Sequence, residues 1–397
     1  MQRPAMLALV WFFLLGGLGV WFPFVSLYLT ENAGLSGVQV GWVIALLPLG
    51  GMLAQPLWGQ LADRSGARTR VLAVLALGAA GGYALVGEAR GFGAIAASVA
   101  VLALFAPALI PMTFSVTLAL ARDSAAREVG LTRACGTLGF LVTVVAFPLL
   151  LHRVQQARDL VPGASSSVSE PGLEIMFPIS AVLVAVGGLL ALALPRGGAE
   201  GLRAKGGDWR LLLRHGPYRR VLLFGMLAFL ALQGPQVFFP VFVRSLGGSV
   251  DDVSRMWILM LSLEIPLIAW SGLTLRRVGA RGLLGIGVAA GALRWLVCGL
   301  APDLAWVWPV QVLHGVVVAG LVIGGPLYVE AVVPERLRST GQGLYATAGV
   351  SVGGICSNLS SGWLLDHVGE AAPYLAGGIA AALLTLSLPF FLPAPRR

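Results

Sequence analysis

Gly59-Gln60-Leu61-Ala62-Asp63-Arg64-Ser65-Gly66-Ala67-Arg68 returns far downstream as Gly272-Leu273-Thr274-Leu275-Arg276-Arg277-Val278-Gly279-Ala280-Arg281. Both glycines, the alanine and arginine that follow the second glycine, and the arginine at the sixth place keep their positions, and each copy follows a long apolar run. A segment repeated at one constant offset signals duplication of a whole structural unit. Outward from the first copy, apolar stretches lie near 6–30, 37–62, 71–88, 92–121, 128–152 and 174–194. Outward from the second they lie near 219–243, 253–275, 282–301, 303–329, 339–364 and 371–392. Each approaches or exceeds the roughly 17 to 25 residues that a helix needs to cross a bilayer. The expected fold is therefore an all-α integral membrane protein, with twelve transmembrane helices in two pseudo-symmetric bundles of six, 1–194 and 219–397.

Composition leads to the same place. Hydrophobic residues make up 57% of the 397 and charged residues only 11%, a balance that no water-soluble interior of this size can absorb. The first span is too long for a secretory leader and has no small-residue cleavage site before Glu31. Between the bundles, 195–218 is polar, basic and glycine-rich, as a cytoplasmic linker would be.

The net charge of +9 points away from nucleic acid once its distribution is considered. With the N-terminus inside, one set of loops collects Arg3, Arg64, Arg68, Arg70, Arg122, Arg127, the group from Arg196 to Arg220, Arg276, Arg277, Arg281, Arg336, Arg338, Arg396 and Arg397. The other set holds Arg90, Arg153, Arg158, Arg244 and Arg255. Such asymmetry is the positive-inside bias, and it puts both termini in the cytoplasm with an even number of crossings. Cys135, Cys298 and Cys356 each fall inside a span, so no disulfide framework is expected.

The stretch from Gly59 to Arg70 resembles the loop signature of the major facilitator superfamily, G-x-L-a-D-R-x-G-r-K/R-K/R. The resemblance implies the major facilitator fold, a substrate site between the two halves, and a conformational latch formed by Asp63, Arg64 and Arg68. The second copy carries Arg276 where the first has Asp63. Glu264, then Leu293-Arg294-Trp295, then Gln311-Val312-Leu313-His314-Gly315 are similar to the phenylpropionate-permease branch. Gly19-Val20-Trp21-Phe22-Pro23-Phe24 and the Arg133, Gly136, Gly139 series are similar to it as well. The same Glu, Arg and His positions resemble lactose permease, which implies proton coupling by Glu264, Arg294 and His314 and solute binding by Arg133 and Phe140. Where lactose permease has further carboxylates this chain has Val317 and Ser115, so a galactoside is not the expected substrate.

The residues support this reading independently. A charge at mid-bilayer costs about 3 kcal/mol on insertion scales, so ionisable groups inside spans are rare and informative. Glu264, Arg294 and His314 share one layer, roughly 12 to 17 Å deep at 1.5 Å per residue. Glu264 and Arg294 can neutralise each other, with His314 bridging them or binding solute, and a static buried ion pair is the competing explanation. Arg133 and Phe140 lie seven residues apart on one helix face and offer a guanidinium and a ring, although Arg133 can equally snorkel. Gln233, Gln236, Gln311, Tyr345 and Asn358 complete the expected solute-binding set, with Gln55 and Gln342 as further polar groups within spans.

Nothing in the sequence supplies a catalytic triad, a metal-ligand spacing or a nucleotide loop. The protein is therefore expected to be no enzyme, to need no metal or cofactor, and to use the proton as coupling ion. Its expected partners are a small-molecule substrate and the lipid bilayer, without nucleic acid, and the expected form is a multi-pass monomer in a bacterial inner membrane. A symporter of an aromatic or other organic acid, a sugar or a nucleoside is the leading function. Proton-driven efflux of drugs or a hydrophobic metabolite is the alternative, although helix 5 lacks the glycine- and proline-rich signature of exporters: Pro148 stands alone near its end.

Overall fold

The structure is a computed structural model that describes residues 3–120, 125–161, 170–195 and 209–392. The described residues contain helices and turns and no strand. They divide into two compact units, Met1–Leu202 and Arg203–Arg397. Residues 196–208, most of the expected linker, lie outside the described residues, as do Arg122, Arg396, Arg397 and the side chains of Arg127 and Arg276.

In the first unit the helices are α1 (Arg3–Asn32), α2 (Gly37–Ser65), α3 (Arg68–Glu88), α4 (Gly91–Leu120), α5 (Ala125–Ala157) and α6 (Leu173–Leu192). In the second, α7 is Gly216–Val237, continued after a break by Phe239–Ser245. Next come α8 (250–278) and α9 (280–300), separated by the non-helical Gly279. α10 (304–332), α11 (338–367) and α12 (Ala372–Leu386) close the unit. Each of the twelve expected spans thus falls on helical residues. Among the described residues, nine helices are long and apolar enough to cross a membrane by length and composition.

The loop repeat has a structural counterpart. Gly66 caps α2 with φ 61°, and Gly279, 213 residues on, has φ 68° between α8 and α9. A β-carbon is disfavoured at both, and the ψ of 173° at Gly279 is a region almost reserved for glycine. The same offset continues upstream. Ser36 begins α2 with a capping box to Gln39, and Ser249 begins α8 with a capping box to Asp252. Gly34 and Gly247 precede them, both with positive φ. One helix pair, entered and left by the same backbone devices, occurs in each unit.

Packing inside each unit relies on small residues. α1 lies against α5 and α6, and α3 against α6. At Gly139 of α5 a β-carbon would overlap the Phe12 carbonyl of α1, so only glycine allows the backbones to approach so closely. Large apolar side chains remain on the periphery, with Leu57 67%, Leu300 72% and Leu386 78% exposed. Exposure on this scale is costly in water and free of cost in lipid. Three helices also contain a wide turn: Tyr28–Asn32 in α1, Ala319–Gly324 in α10 and Thr347–Gly353 in α11. Such π turns concentrate at functional sites.

Candidate functional site

In the second unit, backbone approach brings the ionisable side chains together. A β-carbon at Gly315 would sit 2.8 Å from Glu264 Cα, so α10 rests directly on α8 and the adjoining His314 reaches Glu264. Gly287 of α9 and Gly320 of α10 touch in the same manner. These contacts set Arg294, Gln311 and His314 side by side.

Arg294 is the centre of the cluster and is 1% exposed. Its Nε donates to Gln311 Oε1 at 3.0 Å and its Nη2 to the same oxygen at 2.7 Å. Nη1 donates to Gln236 Oε1 at 2.7 Å and to His314 Nδ1 at 3.1 Å. Nη2 also reaches the Met260 sulfur at 3.5 Å. A guanidinium has five N–H donors and no acceptor, so every donor of Arg294 is engaged within the protein. Its plane lies over Trp295, 4.1 Å from the ring centroid, with Phe239 at 5.6 Å, a favourable placement for a buried cation.

The geometry assigns the histidine tautomer. Arginine can only donate, so His314 Nδ1 accepts and the ring hydrogen resides on Nε2. That Nε2 faces Glu264 Oε2 at 3.7 Å, an ion-pair distance rather than a hydrogen bond. Glu264 and Arg294 therefore do not meet directly, as the sequence reading allowed; His314 stands between them. Gln311 is held in turn by its Nε2, which donates to the Val307 carbonyl at 2.8 Å and reaches the Cys298 sulfur at 3.6 Å.

The other expected solute ligands of this unit lie on α7 and α11, with Tyr345 apart from the cluster, its ring against Gly225 and Gly325. Gln236 Nε2 and Asn358 Oδ1 are buried with no hydrogen-bond partner, as is the Tyr345 hydroxyl. Gln233 is half-buried, its Cγ 3.6 Å from where a β-carbon of Gly354 would lie. Sequence reasoning did not single out Ser357, whose hydroxyl is spliced into α7. It accepts from the Gly234 N–H and donates to the Leu230 carbonyl, each at 2.6 Å. Both groups belong to one i to i−4 turn of α7, so α11 is fastened to that turn beside Pro235 and two residues before Gln236. Ser357→Ala is expected to cost about 1–3 kcal/mol, as for a buried pair of backbone groups losing its partner. Thermal unfolding in detergent measures this, and wild-type stability would show that α7 closes its own bond.

In the first unit the structure places the α5 face of Gly136, Gly139 and Phe140 against α1. Phe140 is buried at 8%, with its backbone against Gly19. Arg133 is exposed, its guanidinium 5.8 Å from the Trp11 ring. Gln55 donates to the Pro107 carbonyl at 3.0 Å and Gln342 to Glu330 at 2.7 Å, so both join neighbouring helices. Of the expected latch, Arg68 donates to Asp63 at 2.8 Å across the Gly66 turn, and Arg64 is exposed. Asp63 is 61% exposed, and such pairs are worth about 0–1 kcal/mol. Asp63→Asn is therefore expected to leave the unfolding temperature close to wild type; a large drop would give the pair a structural role.

Among the described residues no group of His, Cys, Asp and Glu could hold a metal ion. The cluster can instead pass a proton along Glu264 and His314, or hold it there, against a fixed positive charge.

Known proteins share the fold, and some align with nearly the whole sequence. The MFS_1 like family matches residues 5–376. The maltose permease of Geobacillus stearothermophilus is 30% identical over 392 residues, covering 97% of this chain and 94% of the relative. A probable 3-phenylpropionic acid transporter of Escherichia coli strain K12 is 32% identical over 77 residues, 19% of this chain and 20% of the relative. The crystal structure of the nucleoside transporter NupG superposes with a TM-score of 0.83 at 18% identity, covering 99% of this chain and all of that one. With a family match over nearly its full length and a full-length permease relative, the chain belongs to the MFS_1 like family and is a multi-pass membrane transporter of the major facilitator type, not an enzyme.

Proposed function

We propose that the protein is a proton-coupled symporter of a neutral, hydroxyl-rich solute of the sugar class, with Glu264 and His314 carrying the proton. One observation supports the choice of solute most directly: all five Arg294 donors are engaged by Gln311, Gln236, His314 and Met260. That cation is committed to the protein and has no donor to fork onto a carboxylate, which weakens the case for an organic acid. The buried Gln236 Nε2 and Asn358 Oδ1 lack a donor–acceptor exchange that a sugar hydroxyl, able both to give and to accept, provides. The 30% identity to a maltose permease over 97% of this chain agrees with this, and the likeness to a 3-phenylpropionic acid transporter covers a fifth of the chain.

Solute and proton bind in one conformation and leave in the other, so the proton gradient drives accumulation. Gln233, Gln236, Tyr345 and Asn358 would hold the solute. Gln311 fixes Arg294, and Asp63, Arg64 and Arg68 act as the latch of one conformation. No cofactor is needed, and the setting is the inner membrane of a bacterium, where the chain works as a monomer.

The test is uptake into proteoliposomes under an imposed pH gradient, with maltose, other sugars, nucleosides and 3-phenylpropionate as candidates. A neutral solute entering with a proton carries charge, so a potential of 100 mV, negative inside, adds about 2.3 kcal/mol, roughly fifty-fold in accumulation. A monoanion entering with one proton carries none. Potential-driven sugar accumulation supports the reading; potential-insensitive uptake of 3-phenylpropionate alone overturns it.

A further inference from the structure

A polar cavity lies wholly within the first unit, where the wide turn of α1, the turn between α3 and α4, and the segment before α6 meet. It has a volume of about 470 Å³, within the range of small-molecule sites. Tyr28, Asn32, Arg90, Arg158, Leu160 and Glu174 line it. Tight turns shape its rim, since Gly91 and Gly172 both have positive φ. By the charge asymmetry of the loops this is the outer end of the unit, and two of the few arginines expected outside converge here.

We infer that this cavity is a capture site for a hydroxyl-rich solute, separate from the polar cluster around Arg294. The lining decides the chemistry. Asn32 Nδ2 donates to the Glu170 carbonyl at 2.9 Å, which fixes the amide orientation, and its Oδ1 is buried without a donor. The acceptor that opens into the cavity is the half-exposed Glu174 carboxylate, so a ligand that gives a hydrogen fits it and a carboxylate does not. Arg90 spends Nη1 on the Gly87 and Ala89 carbonyls at 2.8 and 3.0 Å, leaving Nε and Nη2 to donate. Arg158 and Glu174 stand 3.9 Å apart, loosely enough for a hydroxyl to enter between them. Two guanidiniums disfavour a cation. Groups that both donate and accept satisfy every position, and neutral polyols consist of them.

The assignment of a sugar-class ligand rests on the proposed function, so the experiment separates the two. The probe is radiolabelled maltose in equilibrium dialysis against the full chain in detergent. The wild type is expected to bind two molecules per chain. Asn32→Leu makes part of the lining apolar, and Glu174→Ala removes the half-exposed acceptor; each is expected to reduce the stoichiometry to one. Gln236→Leu is expected to remove the other molecule. Loss in Gln236→Leu with both cavity variants still binding two overturns the capture site and leaves the proposed function standing. Loss in the cavity variants with Gln236→Leu still binding two supports the capture site and overturns the central solute site. No maltose binding to the wild type overturns both.

Discussion

Glu264→Gln, reconstituted in liposomes, equilibrates its solute across the membrane and concentrates none. The glutamine side chain keeps nearly the volume of the carboxylate and can still face His314 Nε2, which lies 3.7 Å from Glu264 Oε2. It cannot exchange a proton. Because α8 and α10 touch at Gly315 and the Glu264 backbone, the substitution adds no bulk at the crossing and the fold is retained. What disappears is the link between solute movement and the proton gradient. A 100 mV potential, expected to support roughly fifty-fold accumulation in a proton-coupled wild type, is expected to support none in the variant. Exchange of labelled for unlabelled solute needs no net proton movement and proceeds near the wild-type rate. Uptake against a gradient and counterflow, measured on the same vesicles, separate the two activities. Accumulation retained in Glu264→Gln would remove the carboxylate from coupling and leave it as a packing partner of His314.

The sequence made the spans and the ionisable trio legible for one physical reason: lipid penalises charge, so Glu264, Arg294 and His314 stand out in an apolar background. The connections among them were not legible. Arg294 and Gln236 are 58 residues apart, and no periodicity within α7 or α9 indicates which polar groups will face each other across helices. Direct pairing of Glu264 with Arg294 was the simplest electrostatic expectation, and the contact between Gly315 and α8 places the histidine in between instead. Phe140 looked like a ring offered to solute because it shares a face with Arg133; that face is also the row of small residues on which α1 rests. Ser357 gave no signal, since a serine within a span is unremarkable until its hydroxyl is found on two backbone groups of the partner helix. The repeat was visible at Gly66 and Gly279, where a positive φ favours glycine. Its extension to Ser36 and Ser249 was hidden because the two capping boxes close with different residues, Gln39 and Asp252.

Arg294→Leu is expected to reduce stability severely, and the reason is what it leaves behind. The guanidinium supplies the donors for Gln311 Oε1, Gln236 Oε1 and His314 Nδ1, all on residues that are buried or nearly so. Removing one partner of such a buried network costs about 3–5 kcal/mol, because the remaining polar groups stay desolvated and unpaired. The stacking over Trp295 is lost as well. Arg294→Lys should fall between wild type and leucine, since a compact ammonium cannot reproduce a planar fork directed at three side chains. The decisive comparison is the double variant Arg294→Leu with Gln311→Leu. If the cost of the single change is the orphaned Gln311 oxygen, making both positions apolar recovers part of the stability despite removing a further hydrogen bond. Thermal unfolding in detergent ranks the five proteins, Gln311→Leu alone included. A double variant less stable than Arg294→Leu by the full cost of Gln311→Leu alone would mean that the two side chains act independently, and that the cluster does not organise α7, α9 and α10 around one buried charge.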